Sequence, residues 1–405
     1  MEASSRLRAF SALRHRDFRL LFAGQAVSLL GDAAFLTALA WKTFTIAGSA
    51  RLGLVLLCEA LATTATLLLG GTLADRYPRR RLMIVSDLAR FVAVGALAGA
   101  DAAGVLSFPL LLVFATLMGA GDGFFTPAFG GIVPLVVEAP NLPSANSLIG
   151  LARWSSLLVG PSLAAFLYGA AGSATVFSFD AASFVLSAAL LWRARPRVFQ
   201  AAQRSGALRE IREGARYVAG IPWLWVTIAL FAVVLMLQHA PQQVLLPKLV
   251  AGQWHRGVGA YGVLTTMVGA GTVAGTLLYG QLQPRRKRGV VAYALWGLNA
   301  VFILGLALSP WYEAAAVFAV LRGLCIGFSV AVWETMLQEL VPDHLLARVV
   351  SLDYFGTFGL MPVGLAVAAG VAGLAAPGTI IAVGAAISVC LFAFVLTRPW
   401  LREVD

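Results

Sequence analysis

The chain has 405 residues, of which 60% are hydrophobic and 12% charged, and it carries a formal net charge of +11. Soluble globular proteins are nearer 25% charged, so this chain has too few charges to cover a surface that faces water. The composition therefore excludes a large soluble domain. It indicates a polytopic membrane protein, whose spans need roughly 20 apolar residues each.

In chain order, apolar runs bounded by charged residues, Gly or Pro predict twelve membrane-spanning helices. No A-x-A site follows the first run, so we expect a retained first helix rather than a cleaved signal peptide. Several runs are longer than a bilayer is thick, and those helices must tilt or bend. The predicted spans 1 to 12 cover residues 18–46, 50–74, 82–101, 106–136, 145–170, 173–194, 222–250, 257–282, 289–308, 311–339, 347–374 and 377–398.

The basic residues predict the orientation of these spans. If both termini lie on one side, 23 of the 30 basic residues fall in the segments on that side, and only Arg51, Lys248 and Arg256 fall in the opposite loops. Because Lys and Arg concentrate in cytoplasmic loops, we expect both termini in the cytoplasm of a cell (inner or plasma) membrane protein. The net positive charge then records orientation and needs no nucleic-acid partner.

The longest predicted cytoplasmic segment, residues 195–221, contains an amphipathic pattern. In ALREIREGARYVAG, apolar residues recur at helical spacing opposite charged ones, which predicts a helix lying on the inner membrane surface. A plain solvated linker helix is the alternative. The apolar positions are Leu208, Ile211, Ala215 and Val218, and the charged ones are Arg209, Arg212, Glu213 and Arg216.

This segment divides the chain into two similar halves. GTLADRYPRRR, from Gly71, has a weaker counterpart in GQLQPRRKR, from Gly280. We therefore predict one six-helix bundle over residues 1–194, the linker over 195–221 and a second bundle over 222–405. Two parallel six-helix repeats with a site between them are typical of secondary transporters.

Several motifs carry a resemblance to a known family. The loop after span 2 has Gly71, Leu73, Ala74, Asp75, Arg76, Arg79 and Arg80 in the pattern G-x-L-A-D-R-x-G-R-[KR], with Pro78 where Gly is common. RDFRLLFAGQAVSLLGD opens span 1, SDLAR lies in span 3 and LREIREGARYVAGIPWL in the linker. With these motifs the chain resembles the major facilitator superfamily, in its branch of drug and siderophore exporters related to macrolide and enterobactin efflux proteins.

The resemblance implies an all-α membrane protein with twelve transmembrane helices in two pseudo-symmetric six-helix bundles. It implies export of a small amphiphilic compound (a drug, macrolide or siderophore) by alternating access, driven by protons. It implies no enzymatic activity, cofactor or metal, and we expect a monomer. Two family patterns are only partly present: Ala115 replaces the Arg of span 4, and Ser156 replaces the first Gly of the span 5 antiporter pattern. We expect helix bends at Gly160-Pro161 and at Pro362.

Charged residues inside the first six spans are candidates for coupling, because each costs at least about 2.5 kcal/mol to insert. Asp32, midway along span 1, is predicted to bind a proton or a cationic substrate, with a structural hydrogen bond as the alternative. Asp122 of span 4 is expected to pair with Arg153 of span 5. A further expected pair joins Glu59 and Lys42 near the outer surface, and Asp180 of span 6 has no assigned partner.

In the second half, polar residues cluster in span 7 around Pro241: Gln238, His239, Gln242 and Gln243. They predict a substrate or gate site, with a wet outer vestibule as the alternative. Arg322 of span 10 resembles the Arg that is missing from span 4. Aromatic residues at similar levels are candidates to line a cavity, namely Phe35, Phe124, Phe125, Trp154, Trp333, Tyr354 and Phe358.

The loop after span 2 is a candidate conformational gate, formed by Gly71, Asp75, Arg76, Arg79 and Arg80. The resemblance implies that this loop holds the two bundles together on the cytoplasmic side in the outward-open state. We expect Asp75 to accept hydrogen bonds at the start of span 11, near Arg348. Arg79 or Arg80 is expected to reach acids such as Asp87.

Replacing Asp75 by Ala is expected to impair transport while leaving membrane insertion intact, because an acid within a basic loop does not serve as a positive-inside anchor. Transport rates in membrane vesicles, normalised to the amount of inserted protein, test this expectation. Rates equal to those of the unmodified protein would show that Asp75 has no part in the transport cycle.

Other functions remain to be weighed against export. A proton-coupled importer of a small nutrient shares the fold, and fold alone does not set direction. An enzyme is disfavoured, since the chain has no H-E-x-x-H, G-x-S-x-G or Walker A motif. A channel fits a two-fold repeat of linked six-helix halves less well than alternating access does.

Overall fold

The computed structural model describes residues 10–74, 76–197, 207–284 and 286–403. These residues are almost entirely helical, with short 3-10 turns at Ser11–Arg14, Ala139–Asn141 and Pro399–Glu403. The helices are α1 (Arg16–Ala74), α2 (Arg79–Ala102), α3 (Phe108–Val136), α4 (Leu142–Ala171), α5 (Ser173–Arg193), α6 (Ala207–Ala219), α7 (Pro222–Val234), α8 (Ala240–Gly252), α9 (Val258–Leu282), α10 (Arg288–Leu308), α11 (Tyr312–Leu340), α12 (Asp343–Phe358), α13 (Met361–Val371) and α14 (Pro377–Leu396).

The first helix, α1, contains two predicted spans. Its 59 residues are interrupted at Gly48, whose backbone has φ 80° and ψ 173°. A residue with a side chain adopts this conformation only with strain, whereas Gly lacks the Cβ that causes it. Gly48 therefore separates span 1 from span 2 at the position where the sequence predicts a loop.

The described helices confirm the predicted fold class. Eleven of them, counting α7–α8 and α12–α13 as single crossings, are long and apolar enough to cross a membrane. Dividing α1 at Gly48 gives twelve. Their ends agree with the predicted spans to within a few residues, because a stretch that crosses the hydrocarbon must be continuously apolar and internally hydrogen-bonded.

Two spans are interrupted within the described chain. Residues Leu235–His239, between α7 and α8, form one π-helical turn, after which Pro241 lies in the first turn of α8. Span 11 is divided at residues 359–360, and Pro362 lies in the first turn of α13. A Pro in the first turn has no helical hydrogen bond to lose, so both helices restart there at little cost.

The chain divides into two compact units, Met1–Ala202 and Gln203–Asp405. The division falls inside the predicted linker, and helix α6 belongs to the second unit. There Arg348 of α12 donates to Glu213 in an ion pair of 2.8 Å. A Cβ added at the next residue, Gly214, would lie 3.1 Å from the Arg348 Cβ. The buried face of α6, which includes Val218, therefore packs against protein and not only against a membrane surface.

Within the first unit, the second half of α1 packs closely against α3. A Cβ added at Gly119 would overlap the carbonyl oxygen of Glu59, and one at Gly123 would lie 2.6 Å from that of Thr63. Gly at these positions lets the two backbones approach, which is how small residues hold membrane helices together. Buried apolar side chains of α1 to α5 fill the rest of the unit in two clusters.

The second unit repeats this contact between α9 and α11. Added Cβ atoms at Gly271 and Gly275 of α9 would overlap backbone oxygens of α11, and those at Gly323 and Gly327 of α11 would overlap backbone oxygens of α9. Spans 2 and 4 in the first unit thus correspond to spans 8 and 10 in the second. The G-x-x-x-G spacing predicts helix packing at Gly95/Gly99, Gly119/Gly123 and Gly271/Gly275. The second and third pairs are packing positions, whereas an added Cβ at Gly95 or Gly99 meets no other helix within 4 Å among the described residues.

Replacing Gly275 by Ala is expected to destabilise the second unit by about 1–3 kcal/mol, because the new methyl group has to push α9 away from α11. Gly280→Ala, on the same helix but with nothing within 4 Å of its added Cβ, is the matched control and is expected to be neutral or stabilising. Thermal unfolding in detergent measures both. Equal midpoints for the two variants would contradict the close packing described here.

Candidate functional site

A buried guanidinium organises the charged residues of the first unit. Arg90 of α2 is 2% exposed and pairs with Asp87 at 2.5 Å and with Asp122 of α3 at 2.7 Å. Its guanidinium also lies 4.4 Å from the ring centre of Phe125 and 4.3 Å from that of Phe184. Two carboxylates and two aromatic faces therefore surround one cation, which compensates its charge inside a span.

Gly121 makes room for this arrangement. A Cβ at this position would lie 2.5 Å from the Arg90 Cγ, so any side chain there would displace the arginine from α3. Asp87 and Arg90 are three residues apart on one helix face, which brings their charges together locally. The pairing with Asp122 then joins α2 to α3.

Two further carboxyl groups lie near this cluster. Asp180 of α5 is fully buried, and a Cβ at Gly31 would lie 2.5 Å from its Oδ1, so the chain at Gly31-Asp32 passes directly against it. Asp32 and Asp180 are each close enough to Arg90 and Asp122 to interact with them electrostatically, and Asp180 also interacts with Asp32. Among the described residues, neither Asp32 Oδ1 nor Asp180 Oδ2 has a hydrogen-bond partner.

Asp32, Arg90 and Asp122 line a cavity of about 100 Å³ within the first unit. Arg153 lies on its wall, together with Gln25, Ser28, Leu29, Phe125, Thr126, Phe129 and Ile149. The wall therefore joins ionisable groups from four spans to polar and aromatic surface. A polar space of this volume is large enough to hold water beside the carboxyl groups. Among the described residues, no group of three or more His, Cys, Asp or Glu is arranged to hold a metal ion.

Two predicted ion pairs are wrong. Asp122 pairs with Arg90 and not with Arg153, because Arg90 approaches from the neighbouring α2 across Gly121. Lys42 pairs with Asp101 at 2.7 Å and not with Glu59, since the end of α2 lies beside the outer end of span 1. Asp101 also accepts a hydrogen bond from the Ser173 hydroxyl, so it joins three helices.

Two basic residues of the gate loop contact main-chain carbonyls of the first unit, and their role as a gate stays a prediction. Arg79 donates to the Gly131 carbonyl at 2.5 Å, and Arg80 donates to the Leu191 carbonyl at 2.8 Å. Gly131 lies in the second half of α3 and Leu191 in the last turn of α5, toward the helix ends that carry negative partial charge. The expected contact with Asp87 is wrong, because Asp87 lies deeper in α2 and is held by Arg90.

The other gate residues are placed as follows. Asp75 lies outside the described residues, so its expected contact near Arg348 stays a prediction. Arg76 is exposed, and Gly71 has open space where a Cβ would stand. Arg348 bonds Glu213 of α6, a partner that the sequence does not suggest because the two are 135 residues apart.

The polar residues of span 7 meet span 10 within the second unit. Arg322 of α11 donates a hydrogen bond to Gln242, whose amide donates to the Gln238 carbonyl at 3.0 Å. His239 and Gln243 are in contact at 2.9 Å between their Nε2 atoms. The predicted residues His239, Gln242 and Arg322 therefore lie in one region: His239 ends the π-helical turn, and Gln242, three residues later, accepts from Arg322.

The predicted helix bends lie in different settings. Gly160 and Pro161 are buried inside the unbroken helix α4, and a Cβ at Gly160 would lie 2.5 Å from the Ala33 Cβ. This position thus permits close contact between spans 5 and 1, next to Asp32. Pro362 follows the interruption of span 11 described above.

The seven candidate cavity aromatics lie in different settings. Phe35 is buried against Phe177, and Trp333 packs on Trp223 and donates to Asp353. Phe125 lines the small cavity. Tyr354 and Phe358 are exposed neighbours, and Phe124 and Trp154 are partly buried.

Sequence reasoning missed Arg90 and Asp87 as members of the site. The sequence SDLAR contains the pattern that could have identified them, because it places an acid and a base three residues apart inside an apolar span. Their partner Asp122 could not be chosen over other acids, since the pairing depends on how the two helices are turned toward each other.

Comparison with known proteins gives a family. A family model described as "Transmembrane secretion effector" matches residues 7–405. Macrolide efflux protein A of Streptococcus pyogenes is 25% identical over 368 residues, covering 87% of this chain and 88% of that protein. Enterobactin exporter EntS of Citrobacter koseri is 27% identical over 355 residues, covering 83% and 80%.

Solved structures share the fold at lower identity. The crystal structure of a D-xylose-proton symporter matches with a TM-score of 0.70 and 15% identity, covering 93% of this chain and 96% of that one. At this identity the similarity shows the fold alone, and the symporter's direction of transport says nothing about the direction in this chain.

Proposed function

Since the chain belongs to the transmembrane secretion effector family of major facilitator transporters, we propose that it is a proton-driven exporter of a small amphiphilic compound. Similarity to macrolide efflux protein A and to enterobactin exporter EntS supports export over import. We further propose that it acts as a monomer in the cell membrane, with both termini in the cytoplasm.

The acid-rich cluster around Arg90 is the observation that carries the proton coupling. Asp32, Asp87, Asp122 and Asp180 would give this region a net charge of −2 against Arg90 and Arg153 if all four acids were ionised. A bilayer-spanning unit does not hold such a charge without great cost, so some of these carboxyl groups carry protons. The cavity beside Asp32 and Asp122 gives those protons a route to exchange.

Alternating access then couples the export of substrate to the entry of protons. Substrate binds on the cytoplasmic side while the cluster releases a proton, and substrate leaves on the outer side while the cluster binds one. Arg90 holds Asp87 and Asp122 in place through two ion pairs. Of the other two acids, Asp32 lines the cavity and Asp180 is not part of its lining, so we take Asp32 as the proton-exchanging group.

Transport in everted membrane vesicles tests the direction and the driving force. Labelled erythromycin, ethidium and 2-naphthoate serve as probes of neutral-to-cationic, cationic and anionic amphiphiles. We expect at least one to accumulate in energised everted vesicles that contain the protein, and a protonophore to abolish the accumulation. Accumulation only in right-side-out vesicles would instead identify an importer.

A further inference from the structure

Arg322 is a buried cation of the second unit that has no carboxylate partner among the described residues. Arg322 lies inside span 10 and is 9% exposed. Among the described residues no carboxylate pairs with it, whereas Arg90 of the first unit has two such partners. Its bonded partner is the neutral side chain of Gln242. Because an uncompensated charge in a span is costly, Arg322 is expected to be retained for a function.

Two buried hydrogen-bond donors in this part of the second unit have no acceptor among the described residues. Gln238 is 3% exposed and its amide Nε2 has no partner among the described residues, and the same holds for the Nε of Arg322. Gln242 connects the two, since it accepts from Arg322 and donates to the Gln238 carbonyl. A buried donor left unpaired is destabilising, and a hydrogen-bond acceptor is what satisfies it.

The backbone at this point is also irregular. Gln238 and His239 end the π-helical turn Leu235–His239, one helical turn before Gln242. Single π-helical turns inside α-helices are frequent at functional sites. They change the direction of the side chains and interrupt the regular α-helical hydrogen bonds. Here Gln242 contacts an arginine of another helix, and Gln238 lies one helical turn earlier on the same helix.

We propose that Arg322, Gln238 and Gln242 form a binding site for the oxyanion of the substrate, a carboxylate or phenolate on an apolar body. The cation supplies charge, the two unpaired N–H groups supply directed donors, and the apolar spans accommodate the rest of the molecule. The proposal rests on the proposed transport function and narrows its substrate class to amphiphilic anions.

Binding of a matched pair of probes to the purified full-length protein in detergent tests the site. 2-Naphthoate and neutral 2-naphthamide have nearly the same shape, and calorimetry measures both. We expect naphthoate to bind at least about tenfold more tightly, the factor that corresponds to one charge-assisted bond. Arg322→Gln is expected to remove this preference. Arg256→Gln, in an exposed pair with Glu313, is expected to keep it.

Three results would overturn the proposal: equal binding of the two probes, binding of naphthoate weaker than about 1 mM, or a preference that persists in Arg322→Gln. Thermal stability separates a binding role from a structural one. An arginine kept only for binding can be replaced by Gln without lowering the unfolding midpoint measured in the absence of probe. A lower midpoint with unchanged naphthoate binding would assign Arg322 a structural role.

The outcome is independent of the proton-coupling claim. Protonophore-sensitive transport without an anion preference would leave the export function standing and remove this site. An anion preference that depends on Arg322, without protonophore-sensitive transport, would keep the site and remove the proposed function.

Discussion

Replacing Arg90 by Met is expected to destabilise the first unit by about 3–5 kcal/mol. The substitution leaves Asp87, which is fully buried, and Asp122 without the cation that both now contact at 2.5 and 2.7 Å. It also removes the guanidinium from between Phe125 and Phe184. Thermal unfolding followed by circular dichroism in detergent measures the loss.

A triple variant provides the control for this result. With Asp87→Asn and Asp122→Asn added to Arg90→Met, no buried charge is left unpaired, and we expect most of the lost stability to return. A single Arg90→Met variant that unfolds at the same temperature as the unmodified protein would show that the three charges do not form the buried cluster described above.

Replacing Asp32 by Asn is expected to abolish proton-driven accumulation while the protein still folds and exchanges substrate across the membrane. Asn has nearly the same size and polarity as Asp but does not bind and release a proton. Asp32 has no ion-pair partner among the described residues, so its neutralisation leaves no charge unpaired. Energised uptake and unenergised counterflow in everted vesicles measure the two activities separately.

Glu313→Gln is the matched control, because it neutralises an exposed acid outside the cluster. It is expected to retain both activities. Full energised uptake by Asp32→Asn would assign proton exchange to another group, and loss of counterflow as well would indicate a role for Asp32 in the substrate path.

The spans could be predicted from the sequence because the bilayer imposes their length and apolarity. The break at Gly48 and the packing roles of Gly119/Gly123 and Gly271/Gly275 follow from the same local reasoning. In each case the physical constraint acts on consecutive residues or on one helix face. Such constraints are visible in a single sequence.

Pairings between helices could be predicted much less well. The sequence places Asp122, Arg90 and Arg153 in spans at comparable depth but does not give the rotation of each helix, which decides that Arg90 is the partner. Likewise, Lys42 reaches Asp101 because α2 ends beside it. The hydrogen bonds of Arg79 and Arg80 were missed for another reason. Their acceptors are main-chain carbonyls, which every residue has, so no residue type in the sequence indicates them.

The central claim is that the carboxyl cluster of the first unit exchanges protons against substrate. Proteoliposomes with an internal pH dye, loaded with the labelled probe that everted vesicles accumulate, measure both fluxes at once. We predict that probe and protons move in opposite directions and that Asp32→Asn eliminates the proton flux. Probe movement without proton flux, or both fluxes in the same direction, would contradict the account.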